Sequence, residues 1–181
     1  MTGLVMYIFG LLLTLGCAIK AAMHDWQGLT IPNILSLIIT TLFAVTYTIV
    51  TLTSDAHAFA PLLSHLTVAG GIFAATFLLY MLGMFGAGDV KLATAVSLWL
   101  GMAGLMPFLF YTTLAGGVLG VMALRLRKAG TVPAWLNSGW VMQLRGGKNA
   151  VPYGVAIAVG FILALGYNGA LSPATLQSFV G

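Results

Sequence analysis

Leu4-Val5-Met6-Tyr7-Ile8-Phe9-Gly10-Leu11-Leu12-Leu13-Thr14-Leu15-Gly16-Cys17-Ala18-Ile19-Lys20-Ala21-Ala22 carries a single charge, Lys20, near its end. A helix crossing the roughly 30 Å hydrocarbon core needs about 20 mostly apolar residues, which this run supplies. Five further runs share its character, at about residues 34–52, 66–84, 90–104, 105–124 and 151–167. The pattern predicts an all-α polytopic membrane protein, one domain over residues 1–181 with about six transmembrane helices. Loops are expected at about 23–33, 85–91 and 125–150. The break between the fourth and fifth runs is expected where Gly101, Gly104 and Pro107 supply turn chemistry.

Composition points the same way. Of the 181 residues, 60% are hydrophobic and 6% charged, and the mean hydropathy is +1.06. A soluble domain carries roughly a quarter charged residues, so most of this surface has to face lipid. The net charge of +4 is therefore not the footprint of a nucleic-acid binder. One cysteine, Cys17, excludes an internal disulfide and a cysteine-tetrad zinc site. Thr14-Leu15-Gly16-Cys17 lacks the aliphatic residue of a lipoprotein cleavage site, and no Lys or Arg precedes the first run. That run is expected to be a retained helix, with Cys17 a small buried residue.

With six helices, all seven basic residues fall on one side: Lys20, Lys91, Arg125, Arg127, Lys128, Arg145 and Lys148. The opposite loops hold Asp55, His57 and His65. By the positive-inside rule the basic side is cytosolic and both termini lie outside, in a bacterial inner membrane. In the 125–150 loop, Trp135, Leu136, Trp140, Val141 and Leu144 stand at near-helical spacing. They predict a short amphipathic helix on the cytosolic leaflet, with its tryptophans at headgroup depth.

Three carboxylates exist, and Asp55 reads as a solvated turn residue of the outer side. Asp25 and Asp89 both fall beside a membrane boundary on the basic side, so the topology allows them to meet. Asp89 stands in Gly86-Ala87-Gly88-Asp89-Val90-Lys91-Leu92, at a helix start, where glycines open the space around the carboxylate. The same pattern suits an N-terminal cap with a glycine turn. Asp25 stands in the polar stretch His24-Asp25-Trp26-Gln27-Gly28-Leu29-Thr30-Ile31-Pro32-Asn33, where taken alone it reads as a plain loop residue, with Pro32 in the first turn of the next helix. Together the two permit an aspartate dyad. Carboxylates sharing one proton titrate apart, so one draws a proton from water while the other hydrogen-bonds a carbonyl. Such a pair needs no metal, cofactor or nucleophilic Ser. Lys91, two residues past Asp89, points to another helix face and is expected to reach toward headgroups. His24 reads as an interfacial loop residue; His57 and His65 lack a third ligand for a metal.

The residues Gly86 to Leu92, followed by Leu98-Trp99-Leu100-Gly101, resemble the GxGD signature of type IV prepilin peptidases. Asp25 with Ile31-Pro32-Asn33 resembles that family's first aspartate motif, and Val151-Pro152-Tyr153-Gly154-Val155-Ala156-Ile157-Ala158 the opening of its last helix. The resemblance implies that Asp25 and Asp89 are catalytic, supported by Gly86, Gly88, Lys91, Ile31, Pro32, Asn33 and Pro152. It implies removal of a short, positively charged leader from prepilin or pseudopilin-like substrates at the cytosolic face. Larger members add a cysteine-rich zinc region and methylate the new N-terminus. This chain resembles the compact branch serving Flp-type tight-adherence pili, with peptidase activity alone. It departs from the pattern in the stretch from Trp26 to Thr30, which carries no basic residue.

Two readings from other classes compete. A small proton- or cation-coupled transporter would carry charges deep within its helices, and no segment centre has one. A non-catalytic pilus or secretion assembly subunit would use both aspartates as caps and tolerate their replacement. Within the protease class, a preflagellin-peptidase or signal-peptide-peptidase-like role shares the dyad logic.

Overall fold

The computed structural model describes residues 1–54, 58–129, 131, 138–147 and 151–179. Among them every regular element is helical: α1 Thr2–Gly28, α2 Asn33–Thr53, α3 Leu62–Met81, α4 Ala87–Ser97, α5 Gly101–Lys128, α6 Gly139–Arg145, α7 Tyr153–Tyr167 and α8 Pro173–Gln177. Four of these, α1, α2, α3 and α5, are long and apolar enough to cross a membrane, and α7 is a shorter apolar helix.

Two expected boundaries move. The first helix runs on to Gly28, so His24 and Asp25 are helical and the 23–33 loop shrinks to a few residues. Nothing from Ala22 to Gln27 breaks a helix, and the chain stops only where Leu29 turns left-handed, at φ 56°, and its N–H donates to the Asp25 carbonyl. The fourth segment is shorter than expected. At 11 residues, α4 is about 16 Å long, half the hydrocarbon thickness. The chain then turns at Leu98 to Leu100, and Gly101 provides the positive φ of 59°. Gly104 and Pro107 make no break: both lie inside α5, where Pro107 forgoes one backbone bond.

The short α4 packs in the midst of the longer helices, chiefly against α3, α2 and α7. Glycines set the closest approaches. Gly10 of α1 faces Thr46 of α2, Gly160 of α7 faces the backbone and hydroxyl of Thr112 on α5, and neither site has room for a Cβ. Val90, Leu92, Ala93, Ala95, Val96 and Ser97 of α4 are buried. Its far end is pinned by His65, which lies in the first turn of α3 rather than in a loop. His65 Nδ1 donates to the Leu98 carbonyl at 2.7 Å, amid the rings of Phe43, Tyr47 and Phe59. Cys17 is half-buried rather than buried. Asp55, His57, Trp135, Leu136 and Lys148 lie outside the described residues.

α6 forms where an amphipathic helix is expected, but its apolar face meets protein. Trp140 and Val141 are wholly buried with Leu144, against Ala123 and Leu126 of α5. Trp140 sits edge-on to Trp26 at 5.2 Å, Gly139 rests on the Gln27 carbonyl, and Gln143 Nε2 donates to the Gly28 carbonyl at 3.4 Å. The helix therefore braces the end of α1, and Trp140 is packed inside the protein.

Gly160→Val is expected to force α7 off α5, since the new side chain meets backbone that cannot yield. Overpacking of this kind costs about 1–3 kcal/mol, so the melting temperature of the detergent-solubilised protein should fall by several degrees. An unchanged melting temperature would contradict this packing.

Candidate active site

Asp25 and Asp89, distant in sequence, line one cavity of about 230 Å³, together with Leu29 to Ile31, Asn33 and Gly86 to Gly88. Each carboxylate is delivered by a different helix end. Asp25 stands in the last turn of α1, where that helix meets the start of α7, and is 4% exposed. Its Oδ2 accepts the Gly154 N–H at 2.6 Å. Gly154 is the second residue of α7, and the first amides of a helix have no partner within it, so they suit an anion. A Cβ on Gly154 would lie 2.9 Å from Asp25 Oδ2 and 2.7 Å from Ile31 Cδ1. Only glycine permits this approach. Pro152, buried, stands at the N-cap and starts α7 at this point.

Asp89 is the third residue of α4. Its Oδ2 accepts the Gly86 N–H at 3.1 Å, an N-terminal cap made backwards from the first turn. The capping reading of this residue is therefore correct for one oxygen. The other, Oδ1, is buried and has no hydrogen-bond partner among the described residues. Burial, then the neighbouring Asp25 charge, push the Asp89 carboxyl up to about 7, with the Gly86 N–H pulling the other way. A group so placed keeps its proton at a pH where a solvated carboxyl has long lost it.

The supporting residues tie the three stretches together. Ile31 inserts between Gly88 and Gly154, where added Cβ atoms would lie 3.0 Å from its Cβ and 2.7 Å from its Cδ1. Pro32 caps α2 one residue before its start, and Asn33 opens that helix. Lys91 Nζ donates to Asn33 Oδ1 at 3.0 Å, so this lysine joins α4 to α2 instead of only reaching for headgroups. Two contributors escape a reading of the sequence. Gly154 carries the amide that holds Asp25, although of the stretch from Val151 to Ala158 only Pro152 is expected to support the site. Leu29 lines the cavity in a left-handed conformation that non-glycine residues seldom adopt. Gly154 could have been found from its position just inside a helix that begins with proline. Nothing in the sequence marks Leu29.

A family model described as the type IV leader peptidase family matches residues 11–121, a span that includes Asp25, Asp89 and the glycines around Asp89 but stops short of Gly154. No curated protein and no solved structure matches the chain.

The raised carboxyl of Asp89 makes a stability prediction. Folding raises its proton affinity from the ordinary 3.8 to about 7, so the native state binds a proton the unfolded chain has lost. Stability from this group is complete at acid pH, drains away as pH rises through that window, and is gone above it. Asp89→Asn keeps an acceptor for Gly86 and removes the titration. Its melting temperature in detergent should fall less steeply from pH 5 to pH 8 than that of the wild type; parallel slopes would mean that Asp89 is not held protonated.

Proposed function

The chain belongs to the type IV leader peptidase family, a family of proteases, and from that premise we propose that it is a membrane aspartyl endopeptidase working through Asp25 and Asp89. The observation that carries the reading is the shared cavity, in which one carboxylate is bound by a helix N-terminus and the other has a buried oxygen with no partner among the described residues. Asp25, resting on the Gly154 amide, is the ionised partner and the base that takes a proton from water. Asp89 holds its proton on Oδ1 and donates it in a hydrogen bond to the scissile carbonyl, opposing the charge that grows there as water attacks. When the tetrahedral species collapses, the proton gained by Asp25 passes to the leaving amine, and the pair returns to its single-proton state.

The proposed substrate is a pilin-like membrane protein whose short leader is removed just before its apolar helix, at the cytosolic face of a bacterial inner membrane. We favour six crossings with both termini outside. α4 starts at the aspartate end, and the turn after it meets His65 at the start of α3, so the chain changes ends there despite the short helix. The basic residues Arg125, Arg127 and Lys128 close α5, whose last turns join the α1 end through α6. That arrangement fits a cytosolic aspartate end. One cysteine leaves no cysteine-rich zinc region in these residues, which supports a compact Flp-type peptidase acting without methyl transfer. Mass spectrometry of the processed substrate should accordingly find an unmodified new N-terminus.

Asp25→Asn and Asp89→Asn should each slow cleavage of a co-expressed prepilin-like substrate by at least about 100-fold, the usual scale of a lost acid or base, with insertion unchanged. Asp55→Asn should cleave normally. A gel-shift assay reads both, and normal cleavage by either dyad variant ends the proposal. Gly154→Ala should also lose most of its activity with both aspartates present, because the new methyl group displaces Asp25. Because the mechanism needs one proton on the pair, cleavage should decline as pH rises past about 7, where Asp89 ionises. A rate still climbing at pH 9 would contradict the assignment.

A further inference from the structure

A second cavity, of about 530 Å³, lies between α3 and α5 over the buried α4, and its use follows from where it ends. It extends along α5 from Phe108 to Gly120, about 18 Å at 1.5 Å per residue, or roughly three helical turns. Its walls are apolar, with Thr76, Thr112 and Thr113 as the polar exceptions. Thr112 Oγ1 is buried without a hydrogen-bond partner among the described residues. α3 and α5 are the least buried of the four long helices, so this side of the bundle is incompletely packed. At its aspartate end the groove stops at Phe85 and Tyr153, whose rings lie 4.8 Å apart. These two are the chain neighbours of Gly86 and Gly154, the glycines that hold Asp89 and Asp25.

We infer that this groove receives the apolar transmembrane helix of the substrate and so delivers the peptide bond beside it to the aspartates. The inference rests on the peptidase reading above. A bond hydrolysed in the 230 Å³ cavity, with an apolar helix attached, requires a lodging for that helix within the bilayer and within a few residues of the dyad. The other groove near Asp25, about 370 Å³ between α1 and α7, meets the aspartate end at Trp26 and Gln27. There α6 covers it, through Trp140 on Trp26 and Gly139 on the Gln27 carbonyl. The α3–α5 groove has no such cover among the described residues. A Cβ added at Gly117 or Gly120 would meet nothing within 4 Å. These glycines therefore do not serve packing inside the protein; they leave room for another helix to come close.

That open space also makes the test clean, since bulky side chains there fill the groove without disturbing the fold. Gly117→Leu and Gly120→Leu should process a membrane-anchored prepilin-like substrate at least tenfold more slowly, at unchanged melting temperature. Val118→Leu, on the exposed face of α5, should process it as the wild type does. With Cys17 replaced by Ala, Gly117→Cys should form a disulfide with a cysteine placed in the substrate's helix, and Ile162→Cys in the α1–α7 groove should not. Wild-type rates in both leucine variants, or crosslinking at Ile162 instead of Gly117, would overturn the groove assignment and leave lipid as its occupant. Failure of the wild type to cleave at all would overturn the peptidase reading instead, and the crosslink would still report where the helix sits.

Discussion

The carboxylate of Asp25 resting on the amide of Gly154 is the contact around which this molecule is arranged. It joins the end of α1 to the start of α7, across most of the length of the chain. Burying a carboxylate costs several kcal/mol unless donors replace the water it loses, and a helix N-terminus supplies them without a counter-charge. The fit depends on a missing side chain: with any Cβ at residue 154, Asp25 and Ile31 could not both keep their places. Asp89 also accepts one backbone N–H, from Gly86, but its second oxygen finds no hydrogen-bond partner among the described residues.

Around that contact the other supports follow. Ile31 fills the space between Gly88 and Gly154, and Lys91 ties Asn33 to α4, so the two aspartate-bearing segments are held by the same few residues. α4 is fixed at both ends: at one by its own aspartate on Gly86, at the other by His65 on the Leu98 carbonyl and by Trp99, whose Nε1 donates to the Ile39 carbonyl at 3.4 Å. A helix half as long as the membrane is thick can keep its place only if held in this way. α6 braces the end of α1 from outside, through the Trp26–Trp140 contact. It closes one flank of the aspartate region and leaves the other open.

Much of this was legible beforehand. Apolar runs announced the helical class, because lipid demands that backbone bonds be made within each segment. The spacing of glycines around Asp89 announced a carboxylate with room beside it, and the cavity has that room. Other features were not legible. The extension of α1 through His24 and Asp25 was hidden by polar residues, which read as loop in sequence but are acceptable in a helix whose end is wrapped by protein. The shortness of α4 was masked by the unbroken hydropathy of residues 90–124. Its end is held by contacts with α2 and α3, and of the three residues with turn chemistry Gly101 supplies the positive φ while Gly104 and Pro107 lie inside the helix. The tryptophan in α6 has the same composition whether it faces lipid or protein, and packing against Trp26 and α5 put it inside.

The sequence by itself determined that the chain is helical and membrane-embedded, and which two carboxylates stand near a helix end on the side richest in basic residues. Those properties follow from local chemistry: hydropathy, charge and the freedom of glycine are written residue by residue. Only the tertiary structure decided that Asp25 meets α7, that Asp89 caps its helix with one oxygen while the other finds no partner among the described residues, and that a groove lies beside them. Each of these depends on how far apart two helices pack and which ends they bring together. Such distances arise from contacts between residues far apart in the chain, and no single segment encodes them.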